Sequence, residues 1–540
     1  MNPHFVTASV QRRWLPSNLG AFLATILLWT GACSPADSPR TSPYPAAAVS
    51  GFYEGTLQSQ EHGEVPFSAN LRDENGSVAG TLSTPLGDFP VSQESLAAAE
   101  IALRFALDDG EVGTIAARWG DGEIRGNWKL SDDGGAIAMR RVGPPKPPAV
   151  PARSTLDLLQ EEWREDLRHL AAELPRRHGN AFHTVSRAAF EESVRALEAK
   201  LPSLEEHEVF AAMGRIVASV GDGHTYLGMP QSFRRYPIRL YSFGETLRIT
   251  RAAAGYEHLL GGKVLRIGEM DIREAKRLVG RQIAQENEWY VLRELPWFLV
   301  HAEILHANGV VSDLKEARWT IEALSGERLT VRLAPAAPGE EVRWVSAAQT
   351  VPLYRQRPEE DLWYTLLPES RTLYVGFRGY PAKPAFREFF DEVFRFADQN
   401  PVERMVIDLR ENPGGDFTKG RELLLPRLKQ HPLNRKGRLF VVIGRSTLSA
   451  AMTNAADFLR ETSATLVGEP TGARPNGWQE TGRFTLPNSH LAISVSTQYY
   501  RFLEEDLPAV IPHQHIPLTW EDFRAGRDPV IEWIVAQPLG

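Results

Sequence analysis

Cysteine is nearly absent: a chain of 540 residues holds one, Cys33. A single thiol excludes an intrachain disulfide and a thiolate zinc cluster, and its place near the N-terminus argues against a cysteine nucleophile. Positive charge is also in short supply, with 60 Lys and Arg against 68 Asp and Glu and a formal net charge of −8. The chain therefore lacks the positive field that a nucleic-acid partner requires. Beyond residue 33 no apolar run approaches the roughly 20 residues that cross a bilayer core, which excludes a polytopic membrane protein. Lysine ends early, at Lys436. The remaining composition, 42 % hydrophobic and 24 % charged, is that of a soluble chain. Single cores stop growing at about 250 to 300 residues, so several domains are expected.

Arg12 and Arg13 precede a nearly uncharged stretch over 19–29, which is followed by Thr30, Gly31, Ala32 and Cys33. That order is the order of an export signal. The sole cysteine follows small residues, where a bacterial lipoprotein signal places the residue that becomes lipidated. The expectation is a signal peptide over 1–32, a lipid anchor at Cys33 and a flexible Ser-, Pro- and Ala-rich tether over 33–48. The chain is then a periplasm-facing lipoprotein of a bacterial cell envelope, or a secreted protein.

Over 49–142 short alternating strands are punctuated by Asp109-Gly110, Gly120-Asp121-Gly122 and Asp132-Asp133-Gly134-Gly135. This predicts a small antiparallel β domain, a barrel or a sandwich. Residues 143–153 are too rich in proline for a helix and form a stiff linker. From Ser154, a candidate helix cap, Leu159, Trp163, Leu167, Leu170 and Leu174 recur at helical spacing. Further helices are expected at 186–200 and 203–219, closing a helical segment over 154–232 that carries Gly221-Asp222-Gly223-His224-Thr225. Residues 233–340 mix strands and helices, and Leu260 to Gly268 resembles the glycine-strand portion of a PDZ domain. Residues 341–540 alternate strands (373–377, 404–409, 439–443, 465–467) with helices (384–398, 418–429, 448–461), an α/β core with crossover connections.

Chemistry gathers in that core. The buried strand Val406 to Leu409 runs into Arg410-Glu411-Asn412-Pro413-Gly414-Gly415, and glycines in such a turn leave backbone N–H groups unshielded, as an oxyanion hole requires. The strand Leu439 to Ile443 leads into Ser446-Thr447-Leu448-Ser449-Ala450, so Ser449 falls in the first turn of a helix, where unpaired N–H groups favour negative charge. Taken alone, these hydroxyls are ordinary helix-capping groups.

Together and in order, Asp-Leu-Arg-x-Asn-Pro-Gly-Gly, Ser-Thr-x-Ser-Ala and Val467-Gly468-Glu469-Pro470-Thr471-Gly472 resemble the C-terminal processing peptidases, a family that includes the tail-specific proteases and the core of tricorn protease. The resemblance runs from about Trp163 to the C-terminus. It implies that Ser449 is the nucleophile and that N–H groups of Gly414 or Gly415 and of Ala450 form the oxyanion hole. The Ser/Lys branch carries its lysine about 25 residues after the serine, where this chain has Arg474, and arginine cannot act as a base. The tricorn-like branch uses a histidine from the preceding helical segment, a place held by His224. A neutral imidazole takes up the serine proton and returns it to the leaving amine. The acidic partner that branch implies aligns with Asp506, or with Glu505 beside it. Arg474, Asn476 and Gln479 are candidates for lining a substrate cleft, or for loop hydrogen bonds. Asp408 and Arg410 read as a structural pair. His178 and His183 are candidate site residues, and His513 and His515 lack further ligands at metal spacing. The implied activity is a serine peptidase without metal or cofactor, acting on a protein or peptide. The alternative is a peptide- or glycan-binding lipoprotein that keeps the fold without the chemistry.

Overall fold

The structure, a computed structural model, describes residues 46–59, 63–74, 77–84, 87–97, 99–106, 112–130, 133–145, 158–340 and 342–539. The signal, Cys33, most of the tether, part of the linker and Ser154 lie outside the described residues. The chain divides into two compact units.

The first unit is a closed antiparallel barrel of eight strands: β1 (Gly51–Ser59), β2 (Gly63–Glu74), β3 (Ser77–Thr84), β4 (Gly87–Ala97), β5 (Glu100–Ala106), β6 (Val112–Gly120), β7 (Glu123–Leu130) and β8 (Asp133–Gly143). Each strand pairs with its neighbour, and β8 returns to β1. Alternation decides the interior: Leu71, Val78, Ile101, Leu103, Ile115, Ile124 and Ile137 are almost wholly buried and fill it. The turn between β6 and β7 has Asp121 at φ 52° and Gly122 at φ 77°, the left-handed pair that a two-residue hairpin demands.

The second unit starts with helices Gln160–Arg177, Arg187–Lys200 and Glu206–Ala218. Ser186 caps the second of these by accepting a hydrogen bond from the N–H of Ala189 at 3.2 Å. A short strand, β9 (Tyr226–Leu227), follows the turn that carries His224. Strands β10 (Ile238–Phe243), β11 (Thr246–Ala253), β12 (Lys263–Ile267), β13 (Met270–Asp271), β14 (Ala317–Glu322), β15 (Arg328–Leu333) and β16 (Trp344–Ser346) form one antiparallel sheet, interrupted by helices that include Glu288–Phe298. One apolar cluster runs from Trp163 and Leu167 through Val217 and Ile249 to Trp319, and takes in Phe484, Ile493 and Val495. The helical segment, the following sheet and a distant hairpin therefore share a core.

The α/β region is a six-stranded sheet in the order β17 (Leu362–Leu367), β18 (Thr372–Phe377), β19 (Arg404–Asp408), β20 (Leu439–Ile443), β21 (Thr465–Gly468) and β24 (Gln514–His515), parallel from β18 onward. Its strands are buried on both faces, as parallel strands under crossover helices must be. The single helix expected at 418–429 is broken instead into Phe417–Lys419, a wide π turn over Gly420–Leu424 and Leu425–Gln430. Pro426 has no N–H to give the preceding turn. Gly420 also packs so tightly on Asn454 that a Cβ there would lie 2.1 Å from its Oδ1. A hairpin of β22 (Asn476–Thr485) and β23 (Ala492–Arg501) completes the unit, and β9 pairs with β23.

Candidate active site

The carboxyl ends of β19, β20 and β21 lie side by side, where open α/β sheets hold their sites. Asn412, fully buried, ties the first two loops together. Its side-chain amide donates to the carbonyl of Phe377 at 3.0 Å, its carbonyl accepts from the N–H of Leu448 at 3.1 Å, and its Oδ1 accepts from the N–H of Gly414 at 3.0 Å. Thr447 Oγ1 donates to the carbonyl of Leu409 at 2.8 Å and accepts from the N–H of Gly444 at 3.0 Å. The helix Ser449–Glu461 begins there, and Ser449 itself has φ 44°. That left-handed conformation is strained for a non-glycine residue.

Gly414 and Gly415 have φ 122° and 148°. A Cβ on Gly414 would lie 2.7 Å from Ser449 Cβ and 3.3 Å from both Ser449 Oγ and the nitrogen of Ala450. The glycine turn thus rests against the hydroxyl and the first free N–H of the helix. Of the two glycines offered for the oxyanion hole, Gly414 donates its N–H to Asn412 Oδ1 at 3.0 Å. Among the described residues no hydrogen bond takes the N–H of Gly415 or Ala450.

His224 reaches the same place by way of the hairpin. Its carbonyl accepts from Ser494 Oγ at 2.6 Å, Thr225 Oγ1 accepts from the N–H of Ser496 at 3.1 Å, and Ser496 Oγ donates to Asp222. His224 and Ser449 line one cavity of about 390 Å³ with Glu286, Tyr290 and Pro413. No hydrogen bond joins imidazole to hydroxyl among the described residues; such contacts often tighten only with substrate present. Burial lowers the His224 pKa, opposed by the charges of Asp222 and Glu480. The ring is therefore neutral near pH 7, the form a general base needs.

Asp222 is a clamp that sequence reasoning left unassigned. Its carboxylate accepts from His178 Nε2 at 2.9 Å and lies 3.5 Å from His183 Nε2. Burial pushes its carboxyl up, but the hydrogen bonds from His178, His183 and Ser496 outweigh that and hold it well below the usual carboxylate range. His178, His183 and Asp222 are close enough together to be considered as metal ligands. However, the N–H of Asn180 donates to His178 Nδ1 at 2.9 Å. The ring's proton is then on Nε2, pointing at Asp222, and no lone pair is left there for an ion. His178, buried, is thus a partner of the carboxylate beside His224.

Glu286, in no motif, is the second surprise. Its carboxylate accepts from the N–H of Arg474 at 2.7 Å and from the N–H of Gly223, joining the loop after β21 to the residue before His224. Tyr290 Oη donates to the carbonyl of Gly223 at 3.1 Å. Burial pushes the Glu286 carboxyl up to about 7, against the pull of the two N–H groups. A carboxyl raised from 4.5 to about 7 binds more protons folded than unfolded in between, so its contribution to stability is full below pH 4.5 and is lost as pH rises through 7. Glu286→Gln is expected to flatten that part of the stability profile, so that the stability difference between variant and wild type changes between about pH 4.5 and 7 in denaturant titrations.

Other expected site residues fall elsewhere. Asp506 has a side chain 71 % exposed, 3.8 Å from Arg474, and Glu505 is exposed. Neither has a hydrogen bond or ion pair with His224, whose buried Nδ1 has no partner among the described residues. Asn476 is no cleft residue. Its amide nitrogen donates to the carbonyls of Leu503 and Glu505, and its oxygen accepts from the N–H groups of Phe502 and Leu503. Every group a substrate could use is engaged, so Asn476→Ala is expected to lower unfolding free energy by about 2 to 4 kcal/mol without a specific effect on substrate affinity. Gln479 is buried and donates to the carbonyl of Arg474. His513 Nδ1 accepts from the N–H of Leu466. Asp408 and Arg410 do pair, at 2.6 Å, joined by Asp528 at 2.7 Å from the same guanidinium.

No family model and no curated protein matches the chain. Solved structures do. Mature CPAF complexed with lactacystin is 13 % identical over 69 % of this chain and 97 % of its own, with a TM-score of 0.47. The photosystem II D1 C-terminal processing protease is 14 % identical over 68 % of this chain and 94 % of its own, with a TM-score of 0.33. Tricorn protease is 12 % identical over 88 % of this chain and 45 % of its own, at 0.33. Two of these three structures are of proteases by name, a C-terminal processing protease and tricorn protease.

Proposed function

We propose that this chain is a serine peptidase in which Ser449 attacks the peptide carbonyl and His224 takes the hydroxyl proton. The carbonyl oxygen becomes an oxyanion received by the N–H groups of Gly415 and Ala450, with the helix N-terminus behind them. Collapse of the tetrahedral intermediate breaks the C–N bond, and the imidazolium returns its proton to the leaving amine. Water, activated by the same imidazole, then hydrolyses the acyl-enzyme. The observation that carries the reading is one cavity lined by both a left-handed serine at a helix start and a neutral histidine.

The finer parts of the reading rest on sequence. Export, with a lipid anchor at Cys33, rests on the order of the N-terminal residues; no described helix is long and apolar enough to cross a membrane. A PDZ-like role for 233–340 rests on Gly261-Gly262 ahead of β12, and it would bind substrate by adding a strand to a sheet edge. The test is fluorophosphonate labelling of the protein from Cys33 onward, followed by intact mass and peptide mapping. One adduct, on Ser449, is expected; a folded protein that takes no adduct overturns the reading.

A further inference from the structure

A second cavity, of about 620 Å³, adjoins the one that holds Ser449 and His224, and Met229 and Trp297 line both. Its charge is unbalanced. Arg239 on β10 and Arg235 just before it line this cavity, and neither has a carboxylate in ion-pair contact among the described residues. Arg239 Nη1 is shut off from water with no hydrogen-bond acceptor. The charges that act on this guanidinium are like charges, those of Arg235 and Arg251. The acid among the described wall residues, Glu340, is turned to its own loop, where it accepts from the N–H of Ala337 at 3.0 Å. His301, also in the wall, is held neutral by burial, its pKa pushed down to about 4.

Another cavity, lined by Arg355, Arg410 and Arg445, is different. There Arg410 meets Asp408 and Asp528, Arg445 meets Glu469 at 2.5 Å, and Arg355 lies 3.5 Å from Glu411. Those arginines are each paired with a carboxylate within the fold, whereas among the described residues Arg235 and Arg239 are not. The Arg239 guanidinium lies 4.5 Å from the centre of the Trp344 ring and 5.5 Å from that of Trp297, and Arg235 lies 5.1 Å from Trp297. The indole rings thus hold the two guanidiniums, and a planar guanidinium held by its face can still pair along its edge with a carboxylate.

We propose that this cavity is a specificity subsite that takes an acidic side chain of the peptide being cleaved at Ser449. The proposal rests on the peptidase reading for its substrate class. It predicts a preference for Glu or Asp at a position removed from the scissile bond, weakened by salt because the pairing is ionic and partly exposed.

The test is calorimetric binding to the Ser449→Ala protein, which needs no turnover. Three probes are used: an alternating Ala/Glu heptapeptide blocked at both ends, its Ala/Gln counterpart, and the Ala/Gln peptide with a free terminal carboxylate. The Glu peptide is expected to bind about tenfold more tightly than the blocked Gln peptide. That ratio should fall towards one in Arg239→Gln and in Arg235→Gln; Arg235 is exposed, so its variant keeps the fold even if the Arg239 variant does not. Equal affinities, no binding of the Glu peptide at about 1 mM, a preference that survives both substitutions, or tighter binding only through the terminal carboxylate would overturn the subsite. Failure of wild-type protein to label with a fluorophosphonate would overturn the peptidase reading instead, and leaves the binding comparison readable.

Discussion

Ser449→Ala is expected to abolish fluorophosphonate labelling and to slow peptide hydrolysis by about five to six orders of magnitude, with little change in thermal stability. The serine hydroxyl makes no hydrogen bond to the protein among the described residues, so its removal leaves no buried group unpaired. His224→Ala should cost nearly as much, and the double variant no more than either alone, because nucleophile and base act as one unit. The pH dependence of labelling carries a sign. Burial lowers the His224 pKa below its ordinary 6.5. The base is therefore lost only as pH falls through that lowered value, and the labelling rate should decline at a lower pH than it would for an imidazole of ordinary pKa. Labelling that persists in His224→Ala at the wild-type rate would remove the imidazole from the mechanism, and labelling that persists in Ser449→Ala would remove the serine.

Gly414→Ala is expected to lower kcat by at least about a hundredfold while changing KM much less. Two costs coincide there. A φ of 122° is closed to an L side chain, a strain of about 1 to 3 kcal/mol. The added methyl would also stand 2.7 Å from Ser449 Cβ, and that neighbour cannot yield without moving the nucleophile. A displacement of a few tenths of an ångström shifts the hydroxyl relative to both the carbonyl and the N–H of Ala450. Gly444→Ala is the control on the neighbouring loop. Its methyl would meet Arg410 Cγ at 3.5 Å, an ordinary van der Waals contact. A variant that keeps full kcat at Gly414 would show that the glycine turn takes no part in placing Ser449.

The strand and helix limits of the α/β region were legible because buried parallel strands and crossover helices have strong, different periods. Leu439–Ile443 as a strand and Lys383–Gln399 as a helix need nothing beyond their own residues. The break at Gly420–Leu424 was not legible, since it depends on Asn454 pressing against Gly420 from another helix. The roles of Asp222 and Glu286 were hidden for the same kind of reason. Each carboxylate is defined by partners far along the chain: His178 and Ser496 for one, the N–H groups of Gly223 and Arg474 for the other. Asp506 aligns with the acidic partner that the resemblance implies, but alignment carries no side-chain direction, and its side chain faces solvent and Arg474.

By itself the sequence determined the chemistry on offer: one cysteine, no lysine after Lys436, a serine at a helix start after a strand, and a glycine-rich turn after another. Those are local properties, set by backbone sterics and by which side chains ionise. Only the tertiary structure decided that His224 joins Ser449 in one cavity, because β9 pairs with β23 across more than 260 residues (494 − 226 = 268) and draws the histidine's turn to the sheet end. It also decided that the N–H of Gly414 is already taken while those of Gly415 and Ala450 are free. Hydrogen bonds and burial between distant segments have no period to read, so the assembled core alone decides which donors stay open and which charges go unmatched.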